Sequence, residues 1–220
     1  MGRRSMIHLI PVTIAAVMAA DSLLAETLDR IAVTVGRKVI AESDILLDLR
    51  VSAFLDAKPV DLSPAAKRRS AGRLVDQILI LQEAADSHVT LSVDEDLTKM
   101  LGQVKTQFGS EDAYQAALAR YGITEKDVSA QLAAGIRTLS FSDFRFRPAV
   151  QISDQELHAY YDQLAAGWRQ KNPELVPSFE TSRNQVEQLL IEQRITDALD
   201  KWLAMTRNEL RIVYREQVIP

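Results

Sequence analysis

The chain has 220 residues, 26 basic against 30 acidic side chains, and no cysteine. The lack of cysteine excludes disulfides, thiol catalysis and cysteine-ligated metal, and the acidic balance offers no basic excess for nucleic acid. With 47% hydrophobic and 25% charged residues the composition is that of a globular protein, and only eight glycines and seven prolines interrupt it, which favours helices.

Residues 1–25 have the layout of a secretory signal peptide: Arg3 and Arg4, an apolar run from Met6 to Ala20, then small residues at Ala19, Ala20 and Ala25. The run is short for a membrane span, so the mature chain is expected not to be embedded in a membrane; an uncleaved anchor is the alternative. Cleavage leaves 24 basic and 29 acidic side chains, a net charge of −5. Export to a bacterial periplasm, or beyond a single membrane, is the expected destination.

The stretch Leu28–Leu49 (LDRIAVTVGRKVIAESDILLDL) opens the mature region. Ile31, Val33 and Val35 alternate with Ala32 and Thr34, and Val39-Ile40 follows Gly36-Arg37, which spells strand, two-residue turn, strand. Gly36 can take the positive φ that a type II′ turn demands at its first central position. Ser43 is placed to cap a helix from Asp44 to Leu55 with Ile45, Leu46, Leu49 and Ala53 on one face. A lone hairpin is marginal in water. The other convincing strand is Leu210–Arg215 (LRIVYR), so the two are expected to pair.

Between them the signals are helical. Ser63 and Pro64 supply an N-cap and a proline at the first helical position of a helix reaching Ser87. Leu74, Val75, Ile78, Leu79 and Ala85 recur along it, and Ile80 and Leu81 widen the stripe, which predicts the central helix of the core, buried on two sides. Lys67-Arg68-Arg69 reads as a solvated face. Ser92-Val93-Asp94-Glu95 reads as a capping box before a helix with Val93, Leu97, Met100, Leu101, Val104 and Phe108 inward, stopped by Gly109. Ser110 caps a short helix with Tyr114, Ala117, Leu118 and Tyr121 inward and Gly122 at its end. Thr124 opens another, carrying Val128, Leu132, Ile136 and Leu139 toward Phe144 and ending before Pro148. Ser153 begins a helix with Leu157, Tyr160, Tyr161, Leu164 and Trp168. Lys171 to Pro177 (KNPELVP) reads as a linker. A long helix, Ser178 to Asn208, follows with Phe179, Val186, Leu189, Leu190, Leu199, Trp202 and Leu203, and is expected to pack on the Pro64–Ser87 helix.

No catalytic constellation has a specific spacing. His88 and His158, the histidines beyond the leader, belong to no HExxH pattern, and there is neither a glycine-rich phosphate loop nor a GxSxG elbow. Asp94-Glu95-Asp96 and Glu111-Asp112 fall in first turns, where acids favour the helix dipole without any acid-base role. The reading is of a non-enzyme with no cofactor and no metal. What remains is aromatic surface. Phe141, Phe144 and Phe146 in FSDFRFRP, and Tyr160, Tyr161 and Trp168, can each pack inward or line a groove for an apolar partner.

The ordered set Asp29–Ile45, Leu74–Ala84, Leu91–Leu97, Tyr121–Arg137, Ile152–Gln163 and Gln188–Tyr214 resembles the SurA family of periplasmic chaperones, over most of the mature chain. The resemblance implies a mainly α fold, a multi-helix chaperone core with a small antiparallel sheet made by the N-terminal hairpin and the C-terminal strand. In those terms 1–25 is the signal peptide, 26–170 the N-terminal chaperone region, 171–177 a linker, and 178–220 the helix and strand that complete the same core. In many family members parvulin-type prolyl isomerase domains follow the segment that here reads YYDQ. Only Leu164 to Pro177 stands there, so isomerase activity is not carried over. Arg37-Lys38 also departs from the Asn-Gly-Glu common at the family's turn. The implied function is ATP-independent holding of unfolded or extended polypeptides, outer-membrane protein precursors in transit, with the six aromatic residues as candidate client contacts. The alternative is a non-catalytic structural or assembly partner of one exported protein, or a homodimer that exchanges helices or the terminal strand.

Overall fold

The computed structural model describes residues 29–171 and 176–219; the leader and 172–175 of the linker lie outside the described residues. Strands β1 (Ile31–Val35) and β2 (Lys38–Ala41) form the hairpin. Gly36 has φ of +56° while Arg37 has no positive φ, which agrees with a II′ and not a I′ turn. Strand β3 (Ile212–Tyr214) pairs antiparallel with β1, giving the order β2-β1-β3. The fold is mainly α with this small three-stranded sheet, as the sequence leads one to expect.

One detail of β1 departs from the expected alternation. Ile31 faces Ala41 but Val33 faces Ile40, so Ala32 is an extra residue in β1, a β-bulge. The bulge lets the consecutive Ala32 and Val33 both be buried while Ile31 is exposed.

Among the described residues seven α-helices follow: α1 (Glu42–Leu55), α2 (Pro64–Asp86), α3 (Asp94–Thr106), α4 (Glu111–Tyr121), α5 (Glu125–Phe146), α6 (Asp154–Lys171) and α7 (Phe179–Glu209). Several caps form as read. Ser63, Ser110 and Thr124 each accept a backbone N–H of the first turn, Ser153 and Glu156 exchange hydrogen bonds, and Gly122 closes α4 in the left-handed region; Ser178, expected only as the first residue of its helix, caps α7 in the same way. Two caps do not. Helix α1 starts at Glu42, two residues before the expected Asp44, with the Asp44 carboxylate accepting the Ala41 N–H at 2.8 Å. Ser43 thus falls inside the first turn, at the second helical position and not at the cap, and its hydroxyl donates to the Asp29 carboxylate. At α3, Ser92 makes no cap and Val93 occupies the N-cap position. Its first-turn acids Asp94, Glu95 and Asp96 act through the dipole alone. His88 sits at the end of α2 with φ of +56°, and Val89 N–H closes back on the Ala84 carbonyl at 2.9 Å, so this histidine terminates a helix.

Three apolar clusters organise the described residues. The main core joins the sheet to α2, with Ala32, Val33, Val35, Ile40, Val75, Leu79 and Ile80 at its centre and Val218-Ile219 closing it from beyond β3. Helix α2 is the central helix, touching α1, α5, both hairpin strands and the end of α7, where Arg207 reaches the Asp76 carboxylate at 2.6 Å. The second cluster lies where α1, α3, α4 and α5 meet. Phe54 stacks on Phe108 at 5.1 Å and meets Tyr114 and Tyr121 edge-on. The third lies between α6 and the first half of α7, around Leu157, Val186 and Leu190. Within the expected stripes, Ala85, Met100 and Leu139 are exposed; at α2 the inward residue is Ala84.

Candidate functional site

The face of α5 that carries Asp127, Ala130, Gln131, Ala134 and Thr138 repeats every three to four residues, so it forms one ridge along the helix. The alanines at 130 and 134 leave this ridge low where it meets α2. A groove opens there, about 310 Å³ in volume, between α5, α1, α2 and β2. Ile40, Leu47, Val51, Leu74 and Ile78 line it, and Val39 (57% exposed) and Leu81 (47% exposed) stand at its mouth. A narrow continuation shares Gln77, Leu81 and Ala134 with it and adds Ile80, Arg137 and Thr138. From Asp127 to Thr138 the groove and its continuation form a trough along about eleven helical residues, about 16 Å at 1.5 Å each. An extended chain covers that length with about five residues. A second hollow of about 500 Å³ lies on another side of α5, bounded by Glu192, Ile195, Thr196 and Leu199 of α7 and bearing Leu139, 69% exposed.

The polar part of the groove is sparse and acidic. Asp48 is buried and accepts from the Ser70 hydroxyl at 2.6 Å and from Arg73, which ties α1 to α2. Arg73 reaches it from the opposite side, where it lines a separate polar hollow with Lys58 and Arg69. Gln131 donates to the Ser52 hydroxyl at 2.9 Å and bridges α5 to α1. Thr138 and Ser142 donate to carbonyls of their own helix, so neither presents a spare proton to the trough. The geometry fits van der Waals capture of apolar side chains. Among the described residues there is no cluster of three His, Asp or Glu side chains that would hold a metal ion, and no helix is long and apolar enough to cross a membrane.

The six aromatic residues singled out from the sequence are not brought together. Phe141 is buried in the main core, with Phe146 at 6.1 Å and Trp202 at 5.3 Å between ring centroids. Phe144, between them in sequence, points outward and is 56% exposed. Tyr160, Tyr161 and Trp168 are half-buried on α6, and none of them lines the trough. The Tyr161 hydroxyl donates to the Pro177 carbonyl at 2.8 Å, and its ring meets Trp168 and Phe179 edge-on, so it fastens α6 to the start of α7. The residues that line the trough are aliphatic. The sequence signal for them is the excess width of the α2 stripe. Ile80 faces the core as expected, but Leu81, which the pattern also places against a second packed element, stands at an open groove.

No protein-family model matches the chain, and no curated protein matches it in sequence.

Proposed function

We propose that the chain is an ATP-independent periplasmic chaperone, a holdase for unfolded or extended polypeptides, outer-membrane protein precursors first among them. The observation that carries the reading is the apolar trough along α5, with Val39 and Leu81 exposed at its mouth. The likeness of its ordered segments to SurA chaperones supports the same conclusion. Two or three apolar client side chains buried there gain about 1.5–3 kcal/mol each. Ordering about five backbone residues costs about 1 kcal/mol or more apiece. The difference is small, so binding is weak and release needs no nucleotide, as a compartment without ATP requires.

The experiment is suppression of aggregation. The mature chain, mixed in stoichiometric amount with a denatured outer-membrane protein diluted from urea, is expected to slow light scattering, and Leu81→Asp, which charges the mouth of the groove, to lose most of that effect. No slowing by the unaltered chain would end the reading and leave the dedicated partner of one exported protein in its place.

A further inference from the structure

Asp44, Asp48 and Asp127 are the charged residues among those lining the α1–α2–α5 groove; no lysine or arginine lines it. Arg73 compensates Asp48 from behind. Among the described residues, Asp44 and Asp127 have no cation within 4.0 Å: their carboxylates accept the N–H groups of Ala41 and Thr124 at the starts of α1 and α5. Each helix start contributes a partial charge of about +0.5. Three carboxylates, one guanidinium and two helix starts therefore leave the groove at about −1. The walls between these charges are apolar, which keeps water from screening them as fully as it does on an open surface.

We infer that this end of the trough selects extended segments in which apolar side chains are flanked by lysine or arginine, and disfavours segments flanked by acids. The inference rests on the holdase reading and adds a charge rule to it. Apolar side chains would enter between Leu47, Val51, Leu74 and Ile78, while a basic neighbour lies over Asp44 or Asp127. Arg137, in the narrow continuation, opposes a second basic residue further along, so the preference belongs to one end of the segment.

Three fluorescent nine-residue peptides test it, sharing the same alternating leucine and phenylalanine positions and carrying lysine, serine or glutamate at the flank. Anisotropy titrations with the mature chain at about 0.02 M salt are expected to rank them lysine, serine, glutamate, with the extremes separated by about fivefold or more. At about 1 M salt, where the screening length falls to about 3 Å, the ranking should collapse while serine-peptide binding persists. In D44N/D127N the carboxamide oxygens can still accept the same N–H groups, so the fold, checked by a thermal melt, should hold. The same sum then gives about +1, so the lysine peptide should fall to the level of the serine peptide or below it. Equal affinities for all three peptides, with the serine peptide bound, would overturn the charge rule and leave the holdase reading intact. Binding of none would overturn both.

Discussion

The main core and the α6–α7 arm are both helical, yet they are held in different ways. In the core, sixteen buried apolar residues from the sheet, α1, α2, α5 and the end of α7 interlock, so no single element carries the packing. In the arm, Leu157, Val186 and Leu190 form the buried centre, with Ile152, Leu164, Tyr160, Tyr161 and Phe179 half-buried around it and polar contacts outside. Asp154 pairs with Arg183 at 2.5 Å, Glu156 with Arg194 at 3.0 Å, and His158 stacks on Phe179 at 3.8 Å. Among the described residues α6 has its substantial packing against α7 alone. Helix α7, at 31 residues about 46 Å long, joins the two regions. The arm can therefore loosen while the core stays folded, because opening α6 exposes fewer apolar groups than opening the core and breaks no strand.

The largest expected effect comes from the core's closing segment. Removing Ile212–Ile219 takes away β3, which pairs with Val33–Val35 of β1, and Val218 and Ile219, both buried. Two buried aliphatic side chains alone are worth about 1.5–3 kcal/mol each, and the bared edge of β1 adds unpaired backbone groups. Loss of cooperative thermal unfolding is expected. A truncated chain that melts as the full one does would mean that the ends are not clasped.

Next is Phe141→Ala, which empties the space between Phe146 and Trp202 and should cost about 3–5 kcal/mol in urea titration. Phe144→Ala, three residues on, is its control and should stay within about 0.5 kcal/mol, because that ring is in solvent. Leu190→Ala carries the comparison to the arm. It should cost about 2–5 kcal/mol locally, read as faster amide exchange in α6 and the first half of α7 with β1 and α2 unchanged. Equal acceleration in β1 would show that arm and core unfold as one.

Much of this architecture is legible in the sequence, for reasons that are local. The hairpin follows from apolar alternation around Gly36-Arg37, and the helix starts at Ser63, Ser110, Thr124 and Ser153 follow from short-range capping chemistry. Ser43 is misread because α1 starts two residues earlier than expected, and its partner, Asp29, lies fourteen residues back where no periodicity encodes it. Ile31 is misread because a bulge shifts the faces of β1 by one residue. The groove is the least legible part. Leu81 and Val39 fit an apolar stripe, and a stripe shows that a face is apolar without showing whether another element covers it. Ala130 and Ala134, whose small size opens the trough, look like ordinary helix formers.

Acid separates the two regions with the smallest effect. The Arg183 guanidinium beside Asp154 holds its carboxyl below the ordinary 3.8, and hydrogen bonds from Ser153, with Arg194 nearby, hold Glu156 below 4.5. A carboxylate whose folded pKa is depressed contributes stability above its unfolded value and loses it as pH falls through the folded one. The arm's clamps therefore weaken from about pH 4.5 downward. Asp76, where α7 meets the core, runs the other way: burial raises its carboxyl despite Arg207, so the folded chain takes up that proton first and falling pH favours the fold there. Asp29 and Glu42 at the hairpin are lowered by Ser43 and Arg30, as in the arm, but sixteen buried apolar residues lie beneath them. Trp168 in the arm and Trp202 in the core report separately once each is left alone by W202F or W168F. Trp168 emission should shift at a higher pH than Trp202 emission, and high salt should widen the gap by screening Arg183 and Arg194. A single shared transition would mean that α7 transmits the loss of the arm directly into the core.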